Sequence, residues 1–205
     1  MEKLDLRKTL KELYAPSAKT FSLVEVPPLN FIMVDGTGDP NTSPGYQEAV
    51  EALYSVAYGL KFAAKKAGAG DWAVMPLEGL WWAGDMSAFT SGTGRDDWEW
   101  TMMIAQPDVV SAEHVEQVAE AARKKKDLPA LDRLRLETYA EGLSTQIMYL
   151  GAYSDEGPTI ARLHAWIGEQ VYVLRGKHHE IYLGDPRRTA PDKLKTVIRQ
   201  PVEKR

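Results

Sequence analysis

Two stretches of this chain follow one pattern, and that repeat limits the folds open to it more than any other feature. Phe31-Ile32-Met33-Val34-Asp35-Gly36 runs into a loop, and Pro44 then opens a helix. Gln146-Ile147-Met148-Tyr149-Leu150-Gly151 runs into another loop, and Pro158 opens a second helix. Each half adds strand material after its helix, which gives β-α-β-β used twice with a connecting helix near residues 111–126. Paired units of this kind form one antiparallel sheet with helices on one side. The expectation is therefore an α+β fold of tandem β-α-β-β repeats with pseudo-twofold symmetry. Its ligand groove is expected on the sheet face opposite the helices, at the axis between repeats.

The boundaries follow from the punctuation. Residues 1–19 form an amphipathic helix or arm, since Leu6, Leu10 and Leu13 share a helical face. Residues 20–205 form the domain. Repeat one covers about 20–107, repeat two about 111–186, and 187–205 is a basic, Pro-punctuated tail that covers a sheet edge or folds under the helices. Ser43-Pro44 starts a helix that reaches Lys66, with Tyr46, Ala49, Val50, Leu53, Ala57 and Leu60 at helical spacing. Tyr54 and Tyr58 lie one turn apart on a neighbouring face. Ser111 caps the connecting helix. Strands are expected at 21–26, 30–34, 72–76, 77–83, 98–104, 134–139, 145–149 and 178–183, with a loop at 84–94. Gly36-Thr37-Gly38 lacks the other fingerprint residues of a phosphate cradle and sits between two aspartates, so it is a turn.

Composition removes several classes of function. The 205 residues carry a net charge of −4 and no cysteine. Disulfides, thiolate catalysis and cysteine-based zinc sites are excluded. A basic nucleic-acid-binding face is not indicated, and the Arg123–Lys126 run suits a solvated helix end. No signal peptide or run of about 18 apolar residues is present, so a cytoplasmic protein without membrane contact is expected.

The candidate site centres on His178-His179-Glu180-Ile181-Tyr182-Leu183. Side chains alternate along a strand, so His178, Glu180 and Tyr182 share one face and Ile181 and Leu183 the other. With Ile181 and Leu183 against the helices, the opposite face offers a carboxylate beside a phenol. Trp81, Trp82, Trp98 and Trp100 supply rings for a groove, although one of the adjacent Trp81–Trp82 pair must face away. Met33, Met102, Met103 and Met148 suit an adaptable lining, and Tyr149 adds a further ring. Such a groove fits a flat or cationic small molecule, through stacking and cation–π contacts of about 0.5–2 kcal/mol each. Each tryptophan is also a common core residue. His178 and Glu180 have no third metal ligand in view, and neither a metal nor a cofactor is expected.

Val26-Pro27, Phe31 to Pro40, Tyr46-Gln47-Glu48-Ala49-Val50, Pro76-Leu77-Glu78-Gly79-Leu80-Trp81-Trp82 and His178 to Thr189 together resemble the GyrI-like small-molecule-binding family. The likeness spans roughly residues 10–201 and is most specific, in its last two motifs, to the stand-alone branch. It implies the tandem fold with a groove between repeats. In multidrug-sensing regulators of this family a buried glutamate and aromatic rings receive cationic drugs, and Glu180 matches that glutamate. No helix-turn-helix is expected before the domain. Some stand-alone members hydrolyse the strained cyclopropane of DNA-alkylating natural products. On that analogy Glu180, Tyr182 and Tyr139 are candidate catalytic residues, the carboxylate activating water and a phenol hydrogen-bonding a ligand carbonyl. Sequestration without turnover, or a protein-interaction role such as gyrase modulation, are the alternatives.

Overall fold

The computed structural model describes residues 3–84 and 97–205. The expected loop at 84–94 lies, from residue 85 on, outside the described residues. Two short helices, α1 (Leu6–Thr9) and α2 (Lys11–Tyr14), precede strands β1 (Ser22–Val26) and β2 (Leu29–Thr37). Helix α3 (Pro44–Lys66) leads to β3 (Leu77–Trp82) and β4 (Glu99–Gln106). Helix α4 (Ala112–Arg123) connects to β5 (Arg135–Tyr139) and β6 (Gly142–Leu150). Helix α5 (Gly157–Glu169), β7 (Tyr172–Leu174), β8 (His178–Tyr182) and β9 (Lys195–Lys204) complete the chain. Among the described residues no helix is long and apolar enough to cross a membrane.

Sequence signals place the long helices. Pro44 supplies the fixed φ of a first helical turn, and Ala49, Leu53, Val56 and Leu60 form the buried stripe of α3. Ser111 accepts from the His114 backbone N–H while the His114 ring accepts from Ser111 N–H, closing a reciprocal cap on α4. Ile160, Leu163 and Ile167 bury one face of α5.

The sheet runs β1-β6-β9-β8-β3-β4-β2-β5, every pair antiparallel, with β7 also on β9. The repeat explains the order. Unit one contributes β3-β4-β2 and unit two β8-β9-β6, and the units join where β3 meets β8. The lead strands are exchanged: β1 pairs with β6 of the other unit, and β5 with β2. Val26 opposes Gly142 and Leu29 opposes Tyr139, so both pairings keep one register across Pro27-Pro28.

Three expectations are corrected. The segment 187–205 is not a tail, because β9 lies between β6 and β8 inside the sheet. Its mixed polarity arises from two covered faces, with Ile198 on one and Val197 and Arg199 on the other, all buried. Residues 72–76 form no strand; Trp72 makes only an isolated bridge to Leu4. The third correction concerns the face that carries Glu180. Directly opposed residues share a face in antiparallel pairs, which puts Glu180 with Gly79, Met102 and Val34, on the side where α3 packs. Ile181 and His179 face the other side, where the N-terminal segment fills the space. There Tyr14 donates to Glu78, Arg199 to the Leu13 carbonyl and Gln146 to the Glu12 carbonyl.

Candidate functional site: a carboxyl pair between two helices

Glu180 stands on β8 at the seam of the two units, opposite Gly79 of β3. Its neighbour has to be small. A Cβ on Gly79 would lie 2.6 Å from the Trp81 indole nitrogen and 3.2 Å from the Met102 sulfur. The indole of Trp81 therefore folds back over the strand toward the carboxylate. Trp81 Nε1 donates to the Tyr182 hydroxyl at 3.0 Å, and that hydroxyl donates to Glu180 Oε2 at 2.7 Å. Glu180 Oε1 meets His178 Nε2 at 3.1 Å. A carboxylate only accepts, so this contact places a proton on His178 Nε2. Burial disfavours the charged form of Glu180, but hydrogen bonds from His178 and Tyr182 outweigh it and hold the carboxyl below its usual range. The Glu180 side chain keeps 15% exposure, so the charge is screened yet reachable.

A second carboxyl faces the first. Glu156 stands at the N-cap position of α5, makes no side-chain hydrogen bond to the helix, and is 3% exposed. It lies within hydrogen-bonding reach of Glu180. Burial and then the Glu180 charge push its carboxyl far above the ordinary range, so it is neutral at pH 7. The pair thus carries one proton and one negative charge.

Rings enclose the pair. Tyr46 of α3 stacks on Trp81 at 6.2 Å between centroids and meets Trp100 edge-on at 5.4 Å. Trp98 meets Trp81 edge-on at 5.7 Å, and Tyr153 meets Tyr182 edge-on at 5.3 Å. Burial, with Glu180 next, raises the Tyr46 phenol. Burial and Glu156 push Tyr153 up to about 12. His164 of α5 is held down at about 4 by burial and by His178. All three are neutral near pH 7.

The structure separates the sequence-predicted residues into two groups. Glu180, Tyr182, Trp81, Trp98, Trp100, Met102 and Tyr149 fall on the helix-bearing side, although Trp100 and Met102 are fully buried and serve as floor rather than wall. Trp82, Met33, Met148 and Tyr139 fall on the opposite side. Trp82 carries the Lys177 ammonium over its ring and lines a separate cavity of about 330 Å³ with Asp35, Glu99 and Arg135. Tyr139 is close to Glu141 and Arg199, away from Glu180. Met103, also named as lining, is fully buried core. Sequence reasoning missed Tyr46, Tyr153 and Glu156. The available signal for Tyr46 was its place in the Tyr46-Gln47-Glu48-Ala49-Val50 motif of the family resemblance.

The face away from the helices holds a buried ion network. His179 contacts Glu141 Oε1 at 2.9 Å and Glu78 Oε2 at 3.0 Å, and Arg199 donates to Glu141 Oε2 at 3.1 Å. Despite burial, Glu141 and Glu78 push His179 up to about 9, and His179 and Arg199 bring Glu141 down to about 2. Among the described residues no group of three or more His, Cys, Asp or Glu is arranged to hold a metal.

The chain matches the GyrI-like small molecule binding domain over residues 19–203. A Listeria innocua protein described as an uncharacterized conserved protein is 40% identical, with a TM-score of 0.88 over 98% of this chain and 100% of that one. Two Listeria innocua structures described as hydrolases are 40% and 39% identical, with TM-scores of 0.85 and 0.86 over the same shares. The EcmrR C-terminal domain shares the fold at 12% identity, with a TM-score of 0.57 over 91% of this chain and 98% of that domain. No curated protein matches.

Proposed function

The chain belongs to the GyrI-like family of small-molecule-binding domains, and from that premise we propose that its ligands are hydrophobic, cationic or polycyclic compounds received at Glu180 between α3 and α5. One observation carries this reading: an ionised, partly reachable carboxylate enclosed by Tyr46, Trp81, Tyr153 and Tyr182. A cation gains from both the charge and the ring faces, and a flat neutral ligand gains from the rings alone.

The same groups suit hydrolysis of a cyclopropane-bearing alkylating compound, a detoxifying reaction. Glu180 takes a proton from water as the water oxygen bonds to the strained carbon. The cyclopropane bond breaks, its electrons pass to the conjugated carbonyl, and the neutral Glu156 carboxyl protonates that oxygen. The two Listeria relatives described as hydrolases support this activity.

Two measurements test the reading. Titration with tetraphenylphosphonium should show that Glu180→Gln weakens binding about tenfold or more, since losing an opposite charge a few ångströms away in a partly screened site costs about 1–4 kcal/mol. Equal affinity would remove Glu180 from the site. Incubation with a cyclopropane-bearing alkylator should give a product heavier by one water in the mass spectrum. Recovery of unchanged compound would leave sequestration as the activity.

A further inference from the structure

We infer that Glu156 and Glu180 are a shared-proton pair that releases its proton when a cation binds beside Glu180, so the site presents one negative charge to neutral ligands and two to cations. This rests on the reading that ligands bind at Glu180. Glu156 is 3% exposed and its Oε1 is buried without a hydrogen-bond partner. The turn that carries it packs Tyr153 edge-on against Tyr182 at 5.3 Å, and Tyr182 donates to Glu180, whose side chain is 15% exposed. Each carboxyl acts directly on the other. The groups around them are mostly neutral. Tyr182 and His178 flank the pair on β8, Tyr46 faces it from α3, Tyr153 from the turn before α5 and Tyr149 from β6, while the exposed Asp155 acts on Tyr149. Thr196 lies against Glu156 from β9, and His164 of α5 acts on His178. No Lys or Arg is among the groups that set the protonation of either carboxyl. Two adjacent buried carboxyls cannot both ionise without a counter-charge. Glu156 accordingly keeps its proton well into the alkaline range.

A cation seated on the rings supplies the missing counter-charge. It stabilises the doubly ionised pair and expels the proton. A neutral ligand of the same shape leaves the proton in place. The pair therefore lets one site accept both kinds of compound, and it makes cation affinity depend on pH by linkage.

Isothermal titration calorimetry tests this with tetraphenylphosphonium and neutral triphenylphosphine oxide. Runs in buffers of different protonation enthalpy count the protons released. The wild-type protein is expected to release about one proton per cation, and cation affinity should rise by about tenfold per pH unit between roughly pH 6 and 8. Triphenylphosphine oxide should release none and bind independently of pH. Glu156→Gln keeps a hydrogen-bond donor toward Glu180 but has no proton to lose, so it should bind the cation with no release and a flat profile. Should that variant fail to fold, the buffer series on the wild type decides alone. Cation binding without proton release overturns the inference and leaves the Glu180 site standing. Release that persists in Glu156→Gln assigns the proton elsewhere and also overturns it. No cation binding at all overturns both this inference and the proposed site.

Discussion

Gly79 shows how much of the site depends on an absent side chain. It lies directly across from Glu180, and the space a methyl group would need is occupied by the Trp81 indole and the Met102 sulfur. Gly79→Ala forces those groups apart, with an expected loss of about 1–3 kcal/mol in urea unfolding. The same shift pulls Trp81 from Tyr182, so ligand affinity should fall as well; unchanged stability would mean the strand yields at no cost. At this scale the sequence was legible for residues close together in the chain. Alternation alone puts His178, Glu180 and Tyr182 on one face, and the structure keeps all three in one hydrogen-bonded set. Glu156 was not legible. It looks like an acidic residue at a helix start, which is ordinary surface chemistry, and only the tertiary fold reveals that it faces another carboxyl.

At the scale of elements, local signals identified the long helices and missed a strand. The Ser111 cap was readable from sequence, and Ser111→Ala should cost about 0.5–2 kcal/mol in thermal or denaturant unfolding. No change there would show that the cap is redundant with the packing of α4. Lys195, Arg199, Pro201, Glu203 and Lys204 resemble a solvated end, which hides β9 in the sequence. Arg199 is instead buried against Glu141 and Gln146, so its charge belongs to the interior. Removing residues 195–205 takes out a strand with neighbours on both sides, and the truncated chain should lose its sheet signal in circular dichroism. A folded truncation would contradict the observed strand order. The reversed placement of Glu180 has a related cause. Ile181 and Leu183 suggested a helix-covered side, but the N-terminal segment also buries apolar surface. Alternation gives two faces without saying which partner covers each.

For the whole molecule, one side of the sheet is fastened by charge and the other carries the proposed site. Tyr14, Glu78, His179, Glu141 and Arg199 tie the N-terminal segment to both units. His179 is raised from 6.5 to about 9, so its contribution is complete below pH 6.5 and is lost as pH rises through about 9. Glu141 is lowered from 4.5 to about 2, so its contribution is present above pH 4.5 and is lost as pH falls through about 2. Unfolding free energy should therefore decline from pH 6.5 to 9, and His179→Gln should flatten that slope while lowering stability throughout. A slope that persists unchanged in the variant would assign it to another group. The repeat makes this two-unit plan legible, since two copies of one unit have to meet at a seam. The use of each face was not legible, because it depends on contacts between segments far apart in sequence. A crystal structure with tetraphenylphosphonium bound tests the central claim most directly. The cation should lie against Glu180 among Tyr46, Trp81 and Tyr153, between α3 and α5. A cation seated at Trp82 and Lys177, or along Tyr58 and Phe62, with nothing in contact with Glu180, would contradict it.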